Sequence, residues 1–471
     1  MSEPAKLPES TNQFSTLLQE NIKKHIKLTE INYQRNSNSE YTERIEELDK
    51  NFDYSSNNNN YWGPPELSTL YGTPLYEEAS SSQRIALNHL YWTAQYSHTA
   101  ASESNTVLGN QVTAGVFSNL GGCETLCQEL ELETNQEFCH IHAFQSIGYK
   151  TKVALLGKKA LNAPLLGKSY KLARDGSIRR LTPQPLLKFF NFNWETASSK
   201  AFQDRAFRFL TTTMHKSQGS YYSSYLKDLQ KIDKKCIPAM SGGLAGLVAE
   251  EPLQKFFILN WGSSPFLASQ YYAIRIIANI SLKNYEYLYY KHFKQLEKES
   301  GFIPVPTAVS YYHLLDESFH TTTSRLIAQD LYKDFSKPTA YEKFLANLTV
   351  YMAQIKVLSG LSGGLVSVFR DDAYFMLSFY RLLQSPLFDM SASEALEWMH
   401  RCLCHEHQGF HVNLNFHRTL LSALRRFFDP IDYLWPVNRE MRLMSAGSSI
   451  SKAIQSNVKA FKQFSRSVTQ N

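Results

Sequence analysis

Two Glu-x-x-His motifs on helix-patterned stretches, Glu137…His140 and Glu317…His320, constrain this chain more than any other feature. The spacing puts both side chains on one helical face, one turn apart and about 60° around the axis. A third match, Glu397…His400, also occurs, and composition alone predicts about one. The motif by itself therefore decides little; height along the helix decides more. In an antiparallel hairpin, residues equally far from the turn lie at the same level, because each residue rises by about 1.5 Å. The midpoint of Glu103 and Glu137 falls beside Gly121-Gly122, and that of Glu286 and Glu317 falls at Gly301. Both motif helices thus face a partner helix that presents a Glu at the matching level. Reflecting Glu397 through Ser385-Pro386 lands on Tyr374, with Asp371 and Asp372 within about a turn, and that match reads as coincidence.

His313 extends the pattern. His313, Glu317 and His320 are spaced i, i+4, i+7, at about 0°, 40° and −20° around a helix, which is one narrow stripe. The candidate ligand set is Glu103, Glu137, His140, Glu286, His313, Glu317 and His320. Two Glu-x-x-His helices, each joined by a Glu from a neighbouring helix, make the donor arrangement of a di-iron carboxylate bundle. Four carboxylates match the charge of two divalent cations, so a buried site can be neutral. Oxygen and imidazole donors without thiolate suit iron or manganese better than structural zinc. The plainer reading, satisfied polar residues between helices, needs the four Glu exposed, because burying them without a cation is costly. Their neighbours Ala100, Ala101, Phe138, Leu314, Leu315 and Phe319 do not resemble a solvated face. Asp316 points away from Glu317 on its own helix and is placed to orient His140 from outside the ligand set.

The chain has 471 residues, 43% of them hydrophobic, enough for a large core, which excludes general disorder. Strand signals are few, and scarce Gly and Pro argue against propellers and loop-rich β folds, so the predicted class is all-α. Residues 1–60 form a polar N-terminal segment whose final run, Ser55-Ser56-Asn57-Asn58-Asn59-Asn60, reads as a low-complexity hinge. Trp62-Gly63-Pro64-Pro65 and Gly72-Thr73-Pro74 then mark an irregular approach to the bundle. The spacing predicts helices over Ser81 to about Asn119, Glu124 to about Gly148, Pro265 to about Lys298 and about Thr307 to Leu331. The bundle is assigned to 61–330, with a large insertion at about 150–265, and 331–471 to a C-terminal helical extension. That extension ends in a basic, weakly amphipathic tail (Ile450, Ile454, Val458, Phe461), expected as a docked or frayed helix.

Other motifs carry less. Leu165-Leu166-Gly167-Lys168-Ser169 lacks the Gly that a phosphate-binding loop needs five residues before Gly167, where Asn162 stands. Ser241-Gly242-Gly243-Leu244 and Ser362-Gly363-Gly364-Leu365 read as helix ends or close crossings. Cys402, Cys404, His405, His407, His411 and His417 offer zinc-like donors, but Cys-x-Cys is not a usual knuckle spacing, so a polar His-rich helix is expected. The net charge of +6 is scattered, which gives no reason to invoke nucleic acid. Six cysteines make no disulfide framework, no secretory signal is legible, and the apolar stretch Phe256–Leu282 is broken by Asn260, Gln270, Arg275 and Asn279. These features predict a soluble, cytoplasmic protein without a transmembrane segment.

The order Glu; Glu-x-x-His; Glu; His-x-x-x-Glu-x-x-His resembles the AurF family of non-haem di-iron N-oxygenases. The extra His four residues before the last Glu, here His313, is that family's distinctive seventh ligand, and Asp316-Glu317-Ser318-Phe319-His320 fits as well. The resemblance covers about residues 61–330. The insertion, the C-terminal extension and the Trp62-Gly63-Pro64-Pro65…Tyr71-Gly72-Thr73-Pro74 approach look more like the CylC-type dimetal halogenases, AurF relatives that chlorinate unactivated carbons of fatty-acyl chains. The resemblance implies a ferritin-like bundle holding two Fe ions, or an Fe/Mn pair, that uses O2 and, in a halogenase, chloride. It implies an apolar acyl substrate, on an acyl carrier protein or free, with an electron donor as a further partner. Trp92, Phe138, Tyr285, Tyr287, Leu314 and Phe319 are candidate walls of an apolar channel. N-oxygenation of an aryl amine, C–H hydroxylation and non-catalytic iron binding stay open beside halogenation.

Overall fold

The computed structural model describes residues 23–158, 223–232, 251–356, 373–447 and 449–469. The described residues are 79% helical and contain no strand, so the class is all-α. In chain order the helices are α1 (Lys24–Ser37), α2 (Tyr41–Lys50), α3 (Pro74–Glu78), α4 (Ser81–Phe117), α5 (Glu124–Leu156), α6 (Ser224–Ile232), α7 (Glu251–Trp261) and α8 (Pro265–Lys298). They continue with α9 (Val305–Gln329), α10 (Ala340–Lys356), α11 (Ala373–Leu383), α12 (Ala392–Cys404), α13 (Gln408–Phe428), α14 (Pro436–Arg439), α15 (Arg442–Gly447) and α16 (Ile450–Thr469). Most of the insertion, with Leu165–Ser169, Ser241–Leu244, Ser362–Leu365, Asp371 and Asp372, lies outside the described residues. Among the described residues no helix is long and apolar enough to cross a membrane.

Local chemistry explains where the long helices start and stop. Ser80 caps α4 in a reciprocal capping box with Gln83. Ser264 caps α8, whose first residue is Pro265. The α4–α5 turn passes through Gly122 at φ +81°, a conformation that costs glycine little. After α8, Gly301 N–H bonds back to the Leu296 carbonyl at 3.0 Å. The expected stop of the second helix at Gly148 is wrong. Helix α5 runs on to Leu156 and ends at Gly157, which has φ +77°. A glycine in a helix interior costs only about 1 kcal/mol, which packing along the helix outweighs.

The centre of the fold is two hairpins, α4–α5 and α8–α9, packed against each other through α4 and α8, with α9 also touching α5. Helices α1 and α2 lie across α5 and α9, while α10 and α13 pack on the other side of α8. Two apolar clusters fill the bundle at opposite ends. One gathers Trp92, Tyr96, Ala100, Phe144, Ile147 and Tyr289 with C-terminal residues such as Phe379 and Phe464. The other gathers Val116, Leu126, Leu130, Tyr272, Ile276 and Ile327 with Leu424 and Phe428. Between the clusters, at mid-height on all four helices, the buried residues turn polar and charged.

Two terminal features depart from expectation. The run Ser55–Asn60 is a turn anchored at Asn57 and not a hinge: Asn57 is 2% exposed, its carbonyl accepts from Trp62 Nε1 at 3.0 Å and its Oδ1 accepts from Val305 N–H at 2.8 Å. The tail helix α16 docks, but through Ala453, Asn457, Phe461, Phe464 and Ser467; Val458, expected on the buried stripe, is 43% exposed. Asn457 Nδ2 donates to the Leu403 carbonyl at 3.0 Å, so the buried face follows a hydrogen bond as well as hydropathy.

The same substitution at two helix-interior glycines should have opposite signs. A Cβ on Gly109 in α4 would overlap the buried Tyr271 ring, whereas a Cβ on Gly148 in α5 meets nothing within 4 Å. Gly109→Ala should lose about 1–3 kcal/mol of stability through overpacking, and Gly148→Ala should gain about 0.5–1 kcal/mol. Chemical denaturation of the two variants measures both.

Candidate metal centre

Glu103 comes from α4, Glu137 and His140 from α5, Glu286 from α8, and His313, Glu317 and His320 from α9; none is more than 5% exposed. The structure brings all seven to the mid-height belt. His313 Nδ1 lies 2.6 Å from Glu286 Oε1 and its Nε2 lies 3.0 Å from Glu103 Oε1. His320 Nδ1 is 2.9 Å from Glu317 Oε1 and 3.6 Å from Glu137 Oε1. His140 Nδ1 is 3.6 Å from Glu137 Oε2, and its Nε2 is 3.0 Å from Asp316 Oδ2.

Two groups within this belt each converge donor atoms within 4.8 Å of one another. They are Glu103, His140, His313 and Glu317, and then Glu133, Glu137 and His320. Glu286 stands beside the first group, its Oε1 also accepting from Tyr96 OH at 2.9 Å. Glu133 is the member that sequence reading missed, although Glu129, Glu133 and Glu137 repeat every four residues on one face of α5. Arg275 was missed as a functional residue too. Counted only as a break in an apolar stretch, it is buried and pairs with Glu133 and, at 3.2 Å, with Glu137. The other breaks, Asn260, Gln270 and Asn279, are buried as well.

Charge explains the electrostatics. Burial opposes protonation of His313, but Glu286 and Glu103 override it and hold the ring charged. Burial likewise opposes His320 and His140, yet Glu133 and Glu317 push the first up to about 10, and Asp316 and Glu137 push the second up to about 9. Glu103 is raised to about 7 by burial and by Glu137, whereas His320 and His313 overcome burial and hold Glu317 well below the usual range. Protons therefore stand in for positive charge among the carboxylates.

They do not satisfy the site. Glu103 Oε2, Glu133 Oε2, Glu137 Oε2, Glu286 Oε2 and His140 Nδ1 are buried without a hydrogen-bond partner. Such orphaned atoms are rare and expensive in a folded interior. Oxygen and nitrogen donors converging in this way fit divalent cations.

Around the donors, a polar network ties the N-terminal helix to the belt. Gln136 Oε1 lies 3.0 Å from His320 Nε2, and its Nε2 donates to Asn36 Oδ1 at 2.8 Å and to Asp316 Oδ1 at 3.3 Å. Asn32 and Asn36 of α1 also donate to Glu129, at 2.9 and 3.3 Å. On the other flank, the Phe144 ring sits 4.8 Å from that of His313. Of the expected channel walls, Trp92 is buried and Tyr285, Leu314 and Phe319 are half-buried. Phe138 and Tyr287 instead face out, 55% and 52% exposed. An apolar residue one position from an inward ligand points across the helix, not along it.

The remaining motifs stay apart. Glu397 and His400 are both exposed on α12. Burial pushes the Cys404 thiol up to about 12, His407 accepts from Gly409 N–H to cap α13, and His411 pairs with Glu406 at the surface. Among the described residues, no converging metal group includes this cluster.

A family model described as acyl halogenase, CylC-like, matches residues 24–465, from the first residue of α1 to within α16. No curated protein and no solved structure matches the chain.

Asn36→Leu should show that the network supports the fold as well as the donors. It leaves Gln136 and Glu129 short of buried partners and should cost about 1–3 kcal/mol, read by chemical denaturation.

Proposed function

The chain belongs to the CylC-like acyl halogenase family, and from that premise we propose that it is an O2-dependent di-iron enzyme that replaces a hydrogen on an unactivated carbon of an acyl chain with chlorine. The observation that carries the metal reading is the set of orphaned, buried oxygen and nitrogen atoms converging at mid-bundle. Glu103, Glu137, His140, Glu286, His313, Glu317 and His320 would hold the two ions. Four carboxylates neutralise two divalent cations, so the buried ligand set would be neutral overall with both ions bound. Bound iron supplies the reduction of O2 that makes a C–H bond replaceable.

The chain's own residues position and dry that chemistry. Tyr96 donates to Glu286 Oε1 and fixes the carboxylate's rotamer. Gln136 meets His320 through Nε2, which leaves Nδ1 to face the carboxylates and an ion. Asp316 stands against His140 Nε2 and does the same for that ring. Tyr96 and Phe144, both buried against His313, keep water from the apolar flank, where an acyl chain rather than a charged substrate is compatible with the surroundings.

Purified protein loaded anaerobically with Fe(II) should retain close to two irons per chain, measured by plasma mass spectrometry, and Glu137→Ala should lose uptake. Uptake must displace protons from His140 and His320, whose ordinary titration is shifted upward. Affinity should therefore fall as pH drops from about 8 to about 6, with protons released on binding. With O2, a reductant and acyl chains offered free or as carrier-protein thioesters, the product should carry the chlorine isotope pattern only when chloride is present. A product that gains oxygen regardless of chloride would replace halogenation by oxygenation.

A further inference from the structure

Arg275 is the one buried Arg or Lys among the described residues. It projects from α8 into the belt and spans two carboxylates one turn apart on α5. Its Nη1 pairs with Glu133, and its Nη2 lies 3.2 Å from Glu137 Oε1. Asn110 supports the arrangement, its Oδ1 accepting from Arg275 Nη1 at 3.4 Å and its Nδ2 donating to Glu133 Oε1 at 3.2 Å. Burial opposes the guanidinium charge, but Glu133 leads the carboxylates that keep it protonated. A guanidinium does not deprotonate in a protein, so this charge stays whatever else binds.

The clamp touches only one of the two donor groups. Glu103, His140, His313 and Glu317 form the first, which has no hydrogen bond or ion pair to Arg275 among the described residues and feels its charge only at longer range, through Glu317, whereas Glu137 of the second has Oε1 engaged and only Oε2 unpartnered. We infer that Arg275 makes the two metal subsites unequal: the ion held through Glu137 and His320 binds more weakly than its neighbour, and Glu133 serves as the counter-ion that keeps Arg275 in place. This inference rests on the metal reading above. Two consequences of the clamp drive it. A fixed cation at hydrogen-bond distance from a ligand repels a metal ion in a water-poor interior, where charges act strongly. The same contact withdraws electron density from Glu137 and restricts it to one free oxygen. Glu133 and Arg275 cancel, so the four ligand carboxylates still balance two divalent ions. Loading is then stepwise, and a one-ion form is populated over an interval of free metal.

Equilibrium dialysis of the full chain against graded Fe(II) without oxygen, with metal per chain read by plasma mass spectrometry, tests this without any turnover. The wild type should fill in two steps separated by on the order of tenfold or more in free metal. Arg275→Met should tighten the second step while leaving the first within about threefold. That sign is informative, because a merely structural Arg would weaken binding when removed. Arg275→Met leaves Glu133 buried and unpaired and is at risk of misfolding. The double variant Glu133→Gln/Arg275→Met removes both charges together and should also bind its second ion more tightly than wild type. Two equivalent ions in the wild type overturn the inference, as does a folded Arg275→Met or double variant whose second ion binds no more tightly. A wild type that takes up no iron overturns the metal reading itself, and this inference falls with it.

Discussion

Seven carboxylates, Glu103, Glu129, Glu133, Glu137, Glu286, Asp316 and Glu317, are buried in a belt that runs over about 12 Å along α5 in a four-helix core, and the surrounding elements are arranged around holding them there. An unpaired buried charge costs several kcal/mol, more than the roughly 1.5–3 kcal/mol gained by burying one large apolar side chain. A belt of this kind survives only between substantial apolar clusters and with compensating charge inside it. The clusters lie at either end of the bundle and recruit distant parts of the chain, Phe464 of α16 to one and Phe428 of α13 to the other. The compensation comes from protonated histidines and Arg275, and in the proposed working state from two metal ions.

The belt also explains the position of the N-terminal helices. Helix α1 is polar on the face that it buries: Asn32 and Asn36 are its buried residues. Their amides reach Glu129 and Gln136, and through Gln136 they reach His320 and Asp316. A hydrophobic cap over α5 and α9 would leave those groups without partners, and each would then cost on the order of 1–3 kcal/mol. An asparagine-bearing helix is therefore the stable cover, although it looks like a solvated segment by composition.

Helix positions were legible where Gly and Pro punctuate strongly. The start of α8 at Pro265 and its end before Gly301 follow from residues that cannot continue a helix or that favour its cap. Gly148 misled because a glycine at ordinary helical dihedrals is only a mild penalty, and nothing in one chain position reveals its φ. Ser55–Asn60 misled for a related reason: low complexity suggests solvent, but Asn57 gains partners from Trp62 and Val305, which lie far away in sequence or beyond the turn. Phe138 shows the limit of neighbourhood arguments, since one residue along a helix is about 100° around it.

The heights of the donors follow from residue spacing alone. Residue number and a constant rise per residue place Glu103 opposite Glu137 and Glu286 opposite Glu317, and one face carries His313, Glu317 and His320. These are properties of single hairpins. How the two hairpins face each other is set by packing in three dimensions, and with it which donors share a group, that Glu133 joins Glu137 and His320, and that Arg275 clamps Glu137. Such contacts depend on the rotation and separation of helices packed side by side, which the sum of many weak side-chain contacts sets and no local spacing records.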